Sequence, residues 1–226
     1  MTRLLGPAPD DLLQRTRTSS HDRPIRLSAA HAYALAELLD VLAVGEDSAA
    51  STFEYMADRC GPAQISGALK DIAADETRHQ RWLADLKQAL PSPTKDPAVR
   101  SLLRRFFSRL ADRDMRVHLV RIVALDSAVC QLLGALQSPG SPLSGEATTR
   151  SVLRKIQRDE ARHVAVARQC ATPLVGTPRG RDLMAEAREG LVHVLAFDAT
   201  AFDTLSVDPD RLFVRLRRIP RQGVAS

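Results

Sequence analysis

Aromatic side chains are scarce. The 226-residue chain has six phenylalanines, two tyrosines and one tryptophan. Alanine, leucine and arginine are abundant instead, a composition that favours helix. Strand-like alternation of useful length is absent, so the expected class is all-α. Cysteine is scarce too: Cys60, Cys130 and Cys170 are odd in number, far apart and form no CxxC pair. That argues against a zinc ribbon or a disulfide framework and suits reduced thiols in the cytoplasm. No apolar run looks long enough to cross a membrane, and residues 1–23 contain no apolar core of signal-peptide length. The expected location is therefore cytoplasmic, with no membrane partner. One charge sign dominates only weakly. The formal net charge of +5 is spread along the chain, the mark of a soluble surface more than of a nucleic-acid groove.

What is present is helical periodicity. Residues 1–26 hold Pro7, Pro9 and Pro24 and read as a polar N-terminal arm. Residues 27–218 are expected to form a single helical domain, and 219–226 a tail. Apolar residues spaced three and four apart mark a first helix from about Ser28 to Cys60 and a second from about Pro62 to Leu90, with Gly61 at the turn between them. Residues 98–137 keep the helical pattern but are too long for one element, and a break at 112–114 divides them. "SPGSPLSGEA" at 138–147 is a loop. A further helix spans about 148–171, and C-terminal helices cover 181–205 and 209–218.

Acidic residues interrupt the apolar stripes at matching places. Glu76 lies four after Ile72, and His79 four before Leu83. Glu160 lies four after Ile156, and His163 four before Ala167. An i, i+3 pair projects from one helix face, so each Glu and His can reach one ion together. Glu46, four after Leu42, and Asp126, four after Ile122, sit on the stripes of the other two long helices. If paired helices are antiparallel, residues at one level are symmetric about the turn. The midpoint of 46 and 76 is Gly61, and that of 126 and 160 falls within the 138–147 loop. Glu46 should therefore stand level with Glu76, and Asp126 with Glu160. A short turn near residue 94 would instead leave Asp126 about 21 Å too far along, at ~1.5 Å per residue. The amphipathic piece at 98–112 has the length to carry the chain across. The result is a four-helix bundle of two antiparallel hairpins joined by a long helical crossover.

Isolated buried carboxylates are strongly disfavoured. Two divalent cations would neutralise most of four, and hard oxygen ligands with one imidazole per metal suit iron or manganese. The set exceeds what a closed zinc site uses.

This pattern resembles the ferritin-like di-iron carboxylate proteins: one carboxylate on each of two helices and Glu-x-x-His on the other two, over residues 30–171. Asp126 stands where that family usually has glutamate. "DETRH" at 75–79 and "DEARH" at 159–163 are similar to the oxygen-activating branch, bacterial multicomponent monooxygenases and arylamine oxygenases among them. The resemblance implies metal ligands Glu46, Glu76, His79, Asp126, Glu160 and His163. It also implies that Asp75 and Asp159 hold the ligand histidines of the facing helix, His163 and His79, with Arg78 and Arg162 beside them. The implied cofactors are two Fe ions, with Mn or mixed Fe/Mn as variants, and O2 as co-substrate.

The expected activity is a non-haem di-iron oxidase or oxygenase acting on a small organic metabolite. The alternatives are a ferroxidase or peroxide-scavenging iron-handling protein, and a tRNA-modifying hydroxylase. Expected partners are a small-molecule substrate, an external electron donor and a second copy in a homodimer. Cys130, four after Asp126, reads as a small core residue near the site. Trp82, three after His79, reads as packing or as an electron relay. His118, eight before Asp126, is kept as an extra ligand candidate; His31 and His193 read as surface or core. Gly45 either makes room for substrate, permits a bulge or eases helix packing. "RLFVRLRR" at 211–218 reads as a helix packed on the bundle, with a dock for an acidic carrier protein as the sharper reading.

Overall fold

The computed structural model of the chain describes residues 25–218 except 60–62 and 95. The expected turn at Gly61, with Cys60, nearly all of the arm and the 219–226 tail lie outside the described residues. Among the described residues the elements are nine α-helices and two short 3-10 turns, with no strand.

Side-chain caps set most of the helix starts. Helix α1 (Ala29–Ala57) begins where the Ser28 hydroxyl accepts from His31 N at 3.2 Å. Helix α2 spans Ala63–Gln88. Helix α3 (Pro97–Leu110) has Asp96 as its cap, accepting from Ala98 N, and Pro97 in its first turn. Helix α4 (Met115–Leu136) is capped by Asp114, and α5 (Ala147–Cys170) by Glu146, whose carboxylate accepts from Thr149 N at 2.6 Å. Each such cap contributes about 1 kcal/mol. The expected break at 112–114 is thus the end of α3 and the cap of α4.

The C-terminal region departs from the expectation of one helix over 181–205. The short α6 (Thr172–Val175) is followed by α7 (Pro178–Leu195), a 3-10 turn and α8 (Ala199–Thr204). Helix α7 starts early because the Thr177 hydroxyl accepts from Gly180 N and Pro178 suits the first helical position. Helix α9 (Pro209–Arg217) begins at the Asp208 cap.

Helix α1 packs along α2, α4 along α5, and α2 meets α5. The outer layer is α3 on α1 and α7, α7 on α4, and α9 on α4 and α7. The core between them is aliphatic: Leu35, Leu39, Leu69, Leu83, Leu119 and Leu133 are wholly buried. Each stabilises by about 1.5–3 kcal/mol relative to exposure. Two neighbouring rings on α3 settle onto glycines of different helices. A Cβ at Gly45 on α1 would come within 3.2 Å of Phe107, and one at Gly190 on α7 within 2.6 Å of Phe106. Missing side chains at 45 and 190 are what let α3 lie close to both helices.

Helix α4 corrects one expectation. By length and hydropathy it could cross a membrane, but 67% of its most apolar window is buried within the protein. Its apolar side chains belong to the core, and it carries Asp126 inward.

Candidate metal centre

The four long helices bring six donors to one place. Glu46 on α1, Glu76 and His79 on α2 and Glu160 on α5 each offer a ligand atom within 4.8 Å of the others; so do Asp126 on α4 with Glu160 and His163 on α5. All six are buried, both histidines completely. The levels follow the hairpin symmetry read from the sequence, with Glu46 beside Glu76 and Asp126 beside Glu160. Glu54, a competing acid on α1, points to solvent.

The arrangement is nearly two-fold. Glu76 lies between the imidazoles, one oxygen 3.3 Å from Nδ1 of His79 and the other 3.1 Å from Nδ1 of His163. Glu160 does the same at 3.5 and 3.7 Å. Glu46 closes the His79 side, 3.0 Å from Nδ1, and Asp126 the His163 side. Two carboxylates span the centre and each end has one imidazole and one more acid.

Outer contacts fix which ring nitrogen faces inward. Nε2 of His79 is 3.3 Å from Asp159 Oδ2 on α5, and Nε2 of His163 is 3.2 Å from Asp75 Oδ2 on α2. Each Nε2–H donates outward to the facing helix, so each Nδ1 presents toward the carboxylates. Arg78 and Arg162 both pair with Asp75, and lie 3.5 and 3.6 Å from Asp159. The pairs hold Asp75 below the usual carboxylate range: burial opposes ionisation, but the His163 hydrogen bond and Arg162 outweigh it.

Without a cation the cluster is electrostatically awkward. Burial raises Glu46 and Asp126, and the neighbouring carboxylates push both further up. Burial works against charge on the imidazoles, yet the surrounding acids drive His79 up to about 12 and His163 to about 11. Glu76 is held low despite its burial, by Glu46 and by the two imidazoles beside it. A cation bound among these groups would relieve the same repulsion.

Two atoms of the cluster have no hydrogen-bond partner among the described residues. Asp126 Oδ2 is buried without a hydrogen-bond partner, and Nδ1 of His163 lies near Glu76 without the alignment of a hydrogen bond. Buried polar atoms that aim at shared space rather than at each other suit a bound cation. The groups can hold metal: one imidazole and two or three carboxylates per ion, with Asp126 reaching the centre despite its shorter side chain.

A cavity of about 70 Å³ opens onto this cluster between α1 and α4. Its wall includes Leu42 and Gly45 of α1, Phe107 of α3, Ile122 and Val129 of α4 and Leu191 of α7; Glu46, Glu76, Asp126 and Glu160 form its acidic side. The C-terminal helices therefore help shape it through Leu191. Sequence periodicity marks Leu191 and Phe107 only as apolar, with nothing to single them out as cavity wall.

The remaining candidates fall elsewhere. His118 lines the cavity but does not join the ligand cluster. Eight residues of helix place it about 12 Å from Asp126 along the axis, and its Nδ1 is already bonded to Leu110 O at 2.8 Å. Burial, then Glu160 and Asp126, push the Cys130 thiol up to about 12, so it stays protonated. Trp82 stacks on His79 with centroids 5.7 Å apart, and the cations of Arg78 and Lys155 lie over its ring. His31 is half-buried and His193 exposed, neither near the cluster. Helix α9 buries Leu212, Phe213 and Leu216 against the rest.

One structurally important residue was invisible in the sequence. Arg188 on α7 is 1% exposed and donates to Leu216 O, Arg218 O and Ser127 Oγ at 2.6, 2.7 and 2.5 Å. Its only sequence signal is an arginine one turn after Met184 and three before Leu191 on an apolar stripe.

No protein-family model, curated protein or solved structure matches this chain.

Proposed function

We propose that the chain is a non-haem di-iron oxidase or oxygenase of ferritin-like architecture that uses O2 to oxidise a small organic molecule. The observation that carries this reading is the junction of two features: a two-fold set of carboxylate and imidazole donors, and an apolar cavity ending on its Glu46 and Asp126 side.

Glu46, Glu76, His79 and Glu160 would hold one ion, and Asp126, Glu160 and His163 the other. Iron bound there supplies the electrons and the coordination positions for O2 reduction. The chain's own work is positional. Asp159 and Asp75 fix the rings of His79 and His163 through their outer nitrogens, and Arg78 and Arg162 balance those carboxylates. The apolar wall excludes water and orients a carbon skeleton toward the acids. Oxygen ligands predominate, which favours iron or manganese over zinc.

An apolar approach favours an organic substrate over iron ions, which would be drawn by an exposed acidic path. This separates the reading from a ferroxidase. The test is anaerobic reconstitution with ferrous iron followed by O2. A transient absorption band and a small discrete oligomer on a sizing column are expected. A large hollow shell that accumulates ferric mineral would favour iron storage, and failure to react with O2 would refute oxygen activation.

A further inference from the structure

His118 lines the same cavity as the acids and lies eight residues before Asp126 on α4. It is 3% exposed, and its Nδ1 lies 2.8 Å from the carbonyl oxygen of Leu110. A carbonyl only accepts, so the proton sits on Nδ1 and Nε2 is a bare acceptor. Nε2 is buried, with no hydrogen-bond partner among the described residues. Burial also lowers the ring's basicity, with Arg121 adding to the effect, so the neutral form is favoured. The bond to Leu110 explains half of the residue, since it closes the end of α3 together with Arg121, whose Nη1 donates to the same oxygen at 3.2 Å. It does not explain why the other nitrogen is left unpaired on a residue that lines the cavity, since an orphaned buried acceptor costs about 1–3 kcal/mol.

The rest of the lining narrows what could pair with it. Among the described residues no lysine or arginine lines the cavity, so none of them would compensate an anionic ligand. The Thr52 hydroxyl donates to Ser48 O at 2.7 Å and is occupied. Beyond these, Ser48 and the acids, the wall among the described residues is carbon.

We propose that His118 is a substrate-positioning residue: its Nε2 accepts a hydrogen bond from a hydroxyl or N–H at one end of a neutral, largely apolar molecule, whose other end then lies against Glu46 and Asp126. His118 and Asp126 are about 12 Å apart along α4, which sets the length of molecule that can engage both. This deepens the oxidase reading and rests on it for the word substrate; the binding itself does not require metal.

The test compares two isomers of one size, 1-hexanol and 1-methoxypentane, as probes of the full chain. Affinities are read by ligand-observed NMR titration, with and without added zinc, which is redox-silent. The native chain should bind hexanol about three- to tenfold tighter than the ether, the range of one net hydrogen bond. His118→Phe keeps an apolar ring and should bind the two equally. Loss of the α3 cap alone would weaken both together and leave their ratio unchanged. Should that variant fail to fold, the 15N resonance of His118 Nε2 in the native chain serves instead: hexanol should move it and the ether should not. Equal affinity for the isomers in the native chain, a preference that survives His118→Phe, or an unmoved Nε2 resonance would overturn the proposal. Failure of the protein to bind metal would leave these outcomes intact and count only against the oxidase reading.

Discussion

Asp75 on α2 stands 3.2 Å from the outer nitrogen of His163 on α5, and is itself gripped by Arg78 and Arg162. The contact couples the two hairpins through a ring that faces the carboxylates. Removing it frees the ring to rotate and to change tautomer. Asp75→Ala and Asp159→Ala should each weaken metal affinity by about 10–100-fold, measured by competition with a chromophoric chelator. Glu54→Ala, on the solvent side of α1, should leave it unchanged.

Metal binding should release protons. The metal-free cluster favours protons on His79 and His163, raised to about 12 and 11 against the cost of burial, and burial raises Glu46 and Asp126 as well. A cation must displace those protons, so apparent affinity should rise with pH between about 6 and 8. Calorimetry in buffers of different ionisation enthalpy should report more than one proton released per chain. An affinity independent of pH would contradict this electrostatic picture.

Arg188 should be a large contributor to stability although it touches no ligand. Burial lowers its pKa to about 10, so it stays charged at neutral pH, beside the C-terminal carbonyls of α9, where a helix favours a cation. Arg188→Ala leaves Leu216 O and Arg218 O without their donor and should cost about 3 kcal/mol in chemical denaturation. Hydrogen exchange should speed up in α9. Arg188→Lys should recover only part, because an ammonium lacks the planar fork that reaches three acceptors.

The glycines under the α3 rings should differ. Gly190→Ala places a Cβ 2.6 Å from Phe106 and should destabilise by about 1–3 kcal/mol. Gly45→Ala meets Phe107 at 3.2 Å, a smaller intrusion that helix propensity offsets by up to about 1 kcal/mol. It should be near neutral in stability while pressing Phe107 into the cavity and weakening hexanol binding.

These predictions also separate what the sequence could reveal from what it could not. The paired Glu-x-x-His motifs were legible because each interrupts an apolar stripe of fixed period, and the turn midpoints then aligned Glu46 and Asp126 with them. The partners of His79 and His163 came from resemblance; helical spacing alone does not say that Asp75 reaches across to α5. His118 was noticed only for its distance from Asp126. Its role depends on where the end of α3 lies, since Leu110 O engages one ring nitrogen and leaves the other, buried, to find a different partner. Nothing in the sequence marks the role of Arg188, because two of its acceptors, 28 and 30 residues further on, are backbone carbonyls and carry no sequence signature. The break at 196–198 has neither proline nor glycine to announce it.

Anaerobic titration of the metal-free chain with ferrous iron tests the central claim most directly. Two equivalents should bind per chain, and Glu160→Ala, which removes a carboxylate shared by both groups, should abolish binding of at least one. A native chain that binds no iron, or a Glu160→Ala chain that still binds two with unchanged affinity, would contradict the account.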